Sequence, residues 1–395
     1  MIRSAAIAIA VLVSLPVAQA ATQAQLDTMR AKSLAYLVAQ QKGDGSWRDA
    51  SGNGVQATAS GIEALAQSGM KTGYVPGAAI SWLLNAEVPS TDSMARQIAA
   101  LARLGVKVEH LVPALLANRN PFDSRWGAYR AYQASMPDTA LAFDALLAAN
   151  INVPTDAELV AITGMKAADG GWPYRLSAPS GAKSAVIPTA YAVLVLSRYV
   201  VARPSAATAS TPGITDGINW LLARKKNDGG FAEDANAAGT HDPSTPGQVF
   251  ETALVQSALA TAKQANIAAA QTTAATAALT QIDDFLVARQ GADGGWGTDP
   301  FQTALAARAQ PAVILSDFDR DGLPDAVEPY LNHNVAVADT RDLPNGNGNT
   351  NRPEPVSDGD VPLPLWSVVM LGAGLLGAAL RKNAARKHPF DSNQI

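Results

Sequence analysis

The chain has no cysteine. That excludes disulfides, thiolate zinc sites and thiol nucleophiles, and it leaves side-chain packing alone to hold the fold. Aromatic residues make up only 6% of the 395 positions and histidine only four of them, so π-faces for holding a cation are scarce. Excess positive charge is also missing: the formal net charge is −4. Setting aside Arg3 and the 361–395 segment, where four Lys/Arg outnumber the single acid Asp391, leaves the body at −8. A body of that sign argues against nucleic acid and against electrostatic docking on anionic lipid. What the chain does have is alanine in long segments without β-branched runs, a composition that favours helix.

Both ends carry address-like patterns. Met1-Ile-Arg3, an apolar run over 5–17 and Ala18-Gln19-Ala20 read as a signal peptide over 1–20, cleaved before Ala21. Residues 361–380 are uncharged and just long enough, at about 1.5 Å per residue, to span a bilayer. Arg381, Lys382, Arg386 and Lys387 follow, which places a basic tail over 381–395 in the cytoplasm and the body outside it. This arrangement, with Val361-Pro-Leu-Pro-Leu-Trp366 at the entry to the apolar run, resembles bacterial C-terminal sorting signals, and the resemblance implies a sorting protease or transpeptidase as partner. In the Pro-Glu-Pro class that motif abuts the apolar run, whereas Pro353-Glu354-Pro355 lies several residues upstream.

Between the ends one phrase recurs. Gln41-Lys-Gly-Asp-Gly-Ser-Trp47 precedes a run from Thr58, and Gln290-Gly-Ala-Asp-Gly-Gly-Trp296 precedes one from Thr303. Partial copies centre on Trp126, Trp172 and Phe231 and precede Thr139, Thr189 and Thr252. Helical spacing gives six pairs, at 26–41 with 58–65, 78–85 with 91–104, 108–118 with 138–150, 156–165 with 189–201, 214–226 with 248–262, and 279–290 with 301–309. The threonine opening each second helix is expected to cap it. The phrase resembles the repeat of the squalene-hopene cyclase and prenyltransferase β-subunit superfamily. The resemblance implies an all-α fold, an α/α toroid of about six hairpins over 21–310, in which Gln41, Gly45, Trp47, Trp126, Trp172, Phe231, Gln290, Gly294 and Trp296 are structural.

Chemistry is harder to place. In cyclases of that superfamily an Asp-rich motif ending in Asp-Thr-Ala supplies the protonating acid. Here the acid position falls on Pro137, and Asp138 beside it is expected to cap a helix. Prenyltransferases of the superfamily need a zinc site that includes cysteine, and there is none. Other inner-ring candidates are Tyr129, Tyr132, Tyr174, Tyr191, His241, Asp242 and Glu251.

Residues 317–328 carry the most specific chemical pattern. Asp317, Asp319, Asp321, the Leu323 carbonyl, Asp325 and Glu328 stand at the oxygen-donor positions of a twelve-residue calcium loop, with Gly322 at the sharp turn. The loop is similar to thrombospondin type-3 repeats, and a structural Ca²⁺ is expected in the 311–334 segment. A flexible linker is expected over 335–360.

With the cyclase acid and the zinc cysteine both missing, the sequence favours an exported, membrane-anchored, non-catalytic toroid that binds a ligand or protein partner in its cavity. The alternative is an exported enzyme acting on an isoprenoid, lipid or glycan through inner-ring acids such as Asp138 and Glu251 together with His241.

Overall fold

The computed structural model describes residues 20–49, 52–175, 183–234 and 240–338. They form twelve α-helices, short 3-10 turns and three isolated β-bridges, without a β-strand, so the all-α expectation stands. Residues 1–19, the linker from 339 onward, the apolar run 361–380 and the basic tail lie outside the described residues. Among the described residues no helix is long and apolar enough to cross a membrane.

The even-numbered helices are the second members of the pairs: α2 (Gly54–Gln67), α4 (Thr91–Arg103), α6 (Met136–Ala149), α8 (Val186–Ala202), α10 (Val249–Gln264) and α12 (Pro300–Ala309). Each packs on the next, and α12 returns to α2, which closes an inner ring. Outside it lie α1 (Gln23–Gln40), α3 (Tyr74–Asn85), α5 (Val112–Ala117), α7 (Asp156–Thr163), α9 (Ala207–Leu222) and α11 (Thr273–Arg289). The two sets differ in sequence pattern because they differ in surroundings. Helix α3 buries Val75, Ala79 and Leu83, one stripe at helical spacing. Helix α8 is buried almost all round, from Val186 to Val200, because it has neighbours on both sides, an outer helix behind and the lumen in front. Two of its alanines, Ala190 and Ala192, are fully buried and let adjacent backbones approach.

The recurring phrase builds the joint between the rings. Trp47, Trp126, Trp172 and Trp296 are essentially inaccessible, at 0–1% exposure. Each indole Nε1–H donates to a carbonyl of the preceding outer helix: Leu37, Leu115, Ile162 and Leu286, at 2.6, 2.9, 2.9 and 3.0 Å. Each backbone N–H at these positions, and at Phe231, donates to the hydroxyl of Thr58, Thr139, Thr189, Thr303 or Thr252 at 2.9–3.1 Å. That corrects the capping expectation. Helices α6, α8, α10 and α12 begin three residues before the threonine, so its hydroxyl clips the tryptophan turn instead of the helix end.

Ring closure uses the same parts. Gly294 (φ +89°) brings its backbone against Lys32 of α1, where a Cβ would lie 2.3 Å from the Lys32 carbonyl oxygen. Gln290 Nε2 donates to the Met29 carbonyl at 2.8 Å, just as Gln41 does to Val75 of α3. The last repeat therefore treats the first as its next neighbour.

Residues 313–331 strap the outside of this seam. The Val313 and Leu315 N–H groups donate to the Gln67 and Ser68 carbonyls at the end of α2, while Leu323, Val327 and Leu331 join the core.

Candidate active site

Inner helices carry charged side chains at two levels of the lumen. The first level lies in the opening turns, where Asp92, Asp138 and Glu251 sit on α4, α6 and α10. Ser135, not Asp138, caps α6: its Oγ accepts the Asp138 N–H at 3.1 Å and donates to Asp138 Oδ2 at 2.5 Å. Burial pushes the Asp138 carboxyl above the ordinary range; the Ser135 hydroxyl opposes this and the negative Asp92 adds to it. Burial, with Glu233 nearby, also raises Glu251. A helix start favours the ionised form. Here desolvation outweighs it, and both carboxyls sit above their ordinary values, although Arg96 also opposes the rise at Asp138.

Arg96 connects this level to the space within. Its Nε donates to Asp92 Oδ1 at 2.6 Å and its Nη2 to the Tyr191 hydroxyl of α8 at 2.7 Å, and its guanidinium lies 5.3 Å from the centre of the Phe301 ring. Phe250 stands 6.0 Å from Phe301, so the ring under Arg96 is itself packed on a second aromatic. Arg96, Tyr191, Leu141, Leu194, Leu254 and Leu305 are among the walls of a small cavity of about 30 Å³ that opens to solvent.

The second level is a belt of ion pairs deeper in the ring. Arg308 of α12 pairs with Glu63 of α2, and Glu63 also takes Arg103 of α4 at 2.5 Å. Arg103 reaches Asp144 of α6 at 2.6 Å, and Asp144 takes Arg198 of α8 at 2.6 Å. Burial alone would raise Asp144, yet Arg103 and Arg198 hold it well below the usual carboxylate range, and Arg308 and Arg103 hold Glu63 down in the same way. These two acids are fixed anions and cannot give up a proton. Among the described residues, the carboxyls that burial raises are Asp138 and Glu251 at the inner helix starts and Asp283 of α11, which accepts from Gln256 and Gln310.

Other sequence candidates lie elsewhere. Tyr129 and Tyr132 are exposed and pack edge to face at 5.3 Å. The Tyr174 hydroxyl donates to Glu233 at 2.9 Å, and Glu233 in turn accepts the Val186 and Ile187 N–H groups at the start of α8. His241 stands 3.5 Å from Asp234, which also binds Lys226 and Arg224, and His241, like Asp138 and Glu251, is not among the residues lining the cavity. Asp242 folds back on Ser244 and Thr245. The belt was missed from sequence, although Glu63, Asp144, Arg198 and Arg308 each interrupt an apolar helix. Long charged residues are rarely buried without partners, so that interruption was a usable signal.

In the acidic loop, ligand oxygens of Asp317, Asp319 and Asp321 lie within 4.8 Å of one another. Asp317 Oδ1 and Asp319 Oδ2 are buried without a hydrogen-bond partner, and Glu328 is fully buried. Orphaned oxygens converging this way suit a hard cation. Asp325 is placed differently, accepting from Ser316 Oγ at 2.7 Å and the Phe318 N–H at 2.8 Å.

No protein-family model matches the sequence, and no curated protein does. Among solved structures, the chain is similar to the type II terpene cyclase MstE from Scytonema in its apo form, with TM-score 0.53 and 15% identity over 72% of this chain and 97% of that one. A variant of that cyclase with its product, merosterolic acid A, aligns at TM-score 0.52 and 13% identity over 72% and 96% of the two chains. Another, with its substrate geranylgeranyl dihydroxybenzoate, aligns at 0.52 and 14% over the same shares. The expectation of a non-catalytic binding toroid is corrected by these structures, in which the same architecture holds a substrate and a product. It rested on Pro137 standing at the cyclase acid position and on the missing cysteine, but a proline there does not empty the ring of acids, since Asp138 stands half-buried one residue on. At these identities the likeness establishes the fold, an α/α toroid of the kind found in type II terpene cyclases.

Proposed function

We propose that the protein is an enzyme that acts on an isoprenoid chain in its lumen, with Asp138 as the proton donor. The observation that carries this reading is the placing of the Asp138 carboxyl, part-buried in the opening turn of an inner helix and hydrogen-bonded by Ser135, where burial and then Asp92 raise its pKa against Ser135 and Arg96. A general acid works best when its pKa approaches the working pH. In the proposed step the Asp138 O–H bond breaks and a C–H bond forms at one alkene carbon. The cation left on the other carbon is attacked by a second alkene; the product cation then gives a C–H proton to a water molecule, which forms the new alkene, and the Asp138 carboxylate takes a proton back from solvent. Tyr191 would offer a ring face to the positive charge, and Leu141, Leu194, Leu254 and Leu305 would hold the hydrocarbon. Glu251, raised in the same way, is a second candidate acid.

Incubating the protein with C15 and C20 isoprenoids and analysing products of unchanged mass by chromatography tests the reading. Conversion by the wild type, reduced at least about 100-fold in Asp138→Asn, is the expected result. Equal conversion by both would remove Asp138 from the role.

Two further elements belong to the proposal. A Ca²⁺ ion would be held by Asp317, Asp319, Asp321, the Leu323 carbonyl and Glu328, and would supply charge neutralisation that fixes the 313–331 strap over the α2 end. The sequence patterns of 1–20 and 361–380 support export and membrane attachment, with the toroid outside the cytoplasm. Protease added to intact cells is expected to digest the toroid; protection until lysis would contradict that placement.

A further inference from the structure

The ion-pair belt is incomplete at one helix. Following the ring, its members are Arg308 on α12, Glu63 on α2, Arg103 on α4, Asp144 on α6 and Arg198 on α8, so positive and negative groups alternate through five inner helices. The sixth, α10, lies between α8 and α12 and presents Ser257 to the same cavity as Arg198 and Arg308. Three guanidinium groups face two carboxylates. Among the described residues the central arginine has two acid partners, while Arg198 and Arg308 at the broken ends have one each. Both end arginines line the cavity wall together with Ser257, whose hydroxyl donates to the Ala253 carbonyl of its own helix, 3.0 Å away. Leaving a buried positive charge half-compensated is costly. The cost shows in Arg198, which burial and the neighbouring Arg103 and Arg308 push below the ordinary arginine value despite Asp144.

We infer that the gap at α10 is an anion slot: the substrate carries one anionic group, a carboxylate or a phosphate, that enters between Arg198 and Arg308 beside Ser257 and completes the alternation. Arginine suits this role because its planar fork can hold one acid on each edge. The inference deepens the proposed function, and it rests on that reading for the apolar remainder of the ligand. The hydrocarbon would then extend from the slot along Leu194, Leu254 and Leu305 toward Tyr191 and Arg96. An anchored head fixes which alkene comes within reach of the first level of the lumen, so the slot would set the site of protonation as well as affinity.

Titration calorimetry of the full chain with farnesyl monophosphate and with farnesol, together with melting curves in inorganic phosphate alone, tests the slot. Ser257→Asp supplies the missing carboxylate from α10 itself; Ser257→Asn is its uncharged control of similar shape. The expected result is binding of the monophosphate at least tenfold tighter than farnesol, with the advantage lost in Ser257→Asp and kept in Ser257→Asn. Equal binding of the two isoprenoids, or an undiminished advantage in a folded Ser257→Asp, would overturn the slot and leave the isoprenoid reading intact. If neither isoprenoid binds but phosphate alone raises the melting temperature of the wild type and not of Ser257→Asp, the slot stands and the isoprenoid reading falls. The wild-type comparison of monophosphate with alcohol needs no variant, so a poorly folding Ser257→Asp does not remove the test.

Discussion

At the scale of single residues, Asp138 and Asp144 lie on one helix and behave oppositely. Asp138 has a raised folded-state value, so its favourable contribution is complete below the ordinary carboxyl range and is lost as pH climbs through the raised value. Asp138→Asn, which cannot ionise, is therefore expected to be more stable than the wild type at pH 7 and no more stable near about pH 3, where the unfolded carboxyl is also protonated. Urea unfolding at the two pH values reads this directly. Asp144 has a depressed value, so its contribution is present above the ordinary carboxyl range and disappears only as pH falls through that depressed value. Asp144→Asn leaves Arg103 and Arg198 short of their shared acid, and a loss of about 3–5 kcal/mol at neutral pH is expected. Among the glycines, Gly294 and Gly297 both have positive φ, but only Gly294 meets another backbone. Gly297→Ala should cost about 1–2 kcal/mol for its left-handed backbone alone, and Gly294→Ala should cost more because the added carbon meets the Lys32 carbonyl. Equal losses in thermal melts would contradict the seam contact.

At the scale of elements, the unit is an outer helix, a tryptophan turn and an inner helix clipped by threonine. Thr189→Val removes the hydroxyl that accepts the Trp172 N–H while keeping the shape, and the buried amide left behind should cost about 1–3 kcal/mol. Much of this level was legible in the sequence, because tryptophan, threonine and the helix pattern lie within a few turns of one another along the chain. The helix start was misread at Thr139, Thr189, Thr252 and Thr303 because a hydroxyl near a helix start serves an N-cap and a turn clip equally well on spacing alone. The belt was not legible, since Arg308 and Glu63 are 245 positions apart and only ring closure brings them together. The loop 317–328 was readable for the opposite reason, with every donor inside twelve residues. Even there, Asp325 turns to Ser316 and Phe318, a choice no spacing rule contains.

At the scale of the whole molecule, a closed ring depends on its last seam, and the strap 313–331 lies across the end of α2 that α12 packs against. Calcium binding there is expected to stabilise the entire toroid, by about 2.7 kcal/mol at a concentration one hundred times its dissociation constant. Melting curves with Ca²⁺ should shift upward for the wild type and stay still for Asp319→Asn. A wild-type curve indifferent to Ca²⁺ would contradict the proposed site. The ring has ion-paired carboxylates at its deeper level and carboxyls raised by burial at the helix starts, a division that would favour protonating an apolar chain at the Asp138 level. The most direct measurement is isotopic: the protein is incubated with C15 and C20 isoprenoids in D₂O and the products are analysed by mass spectrometry and NMR. A cyclised product carrying one deuterium at the protonated carbon, formed by the wild type and absent with Asp138→Asn, is the expected result. Isoprenoids recovered unchanged from the folded wild type, or a deuterated product formed equally by Asp138→Asn, would contradict it.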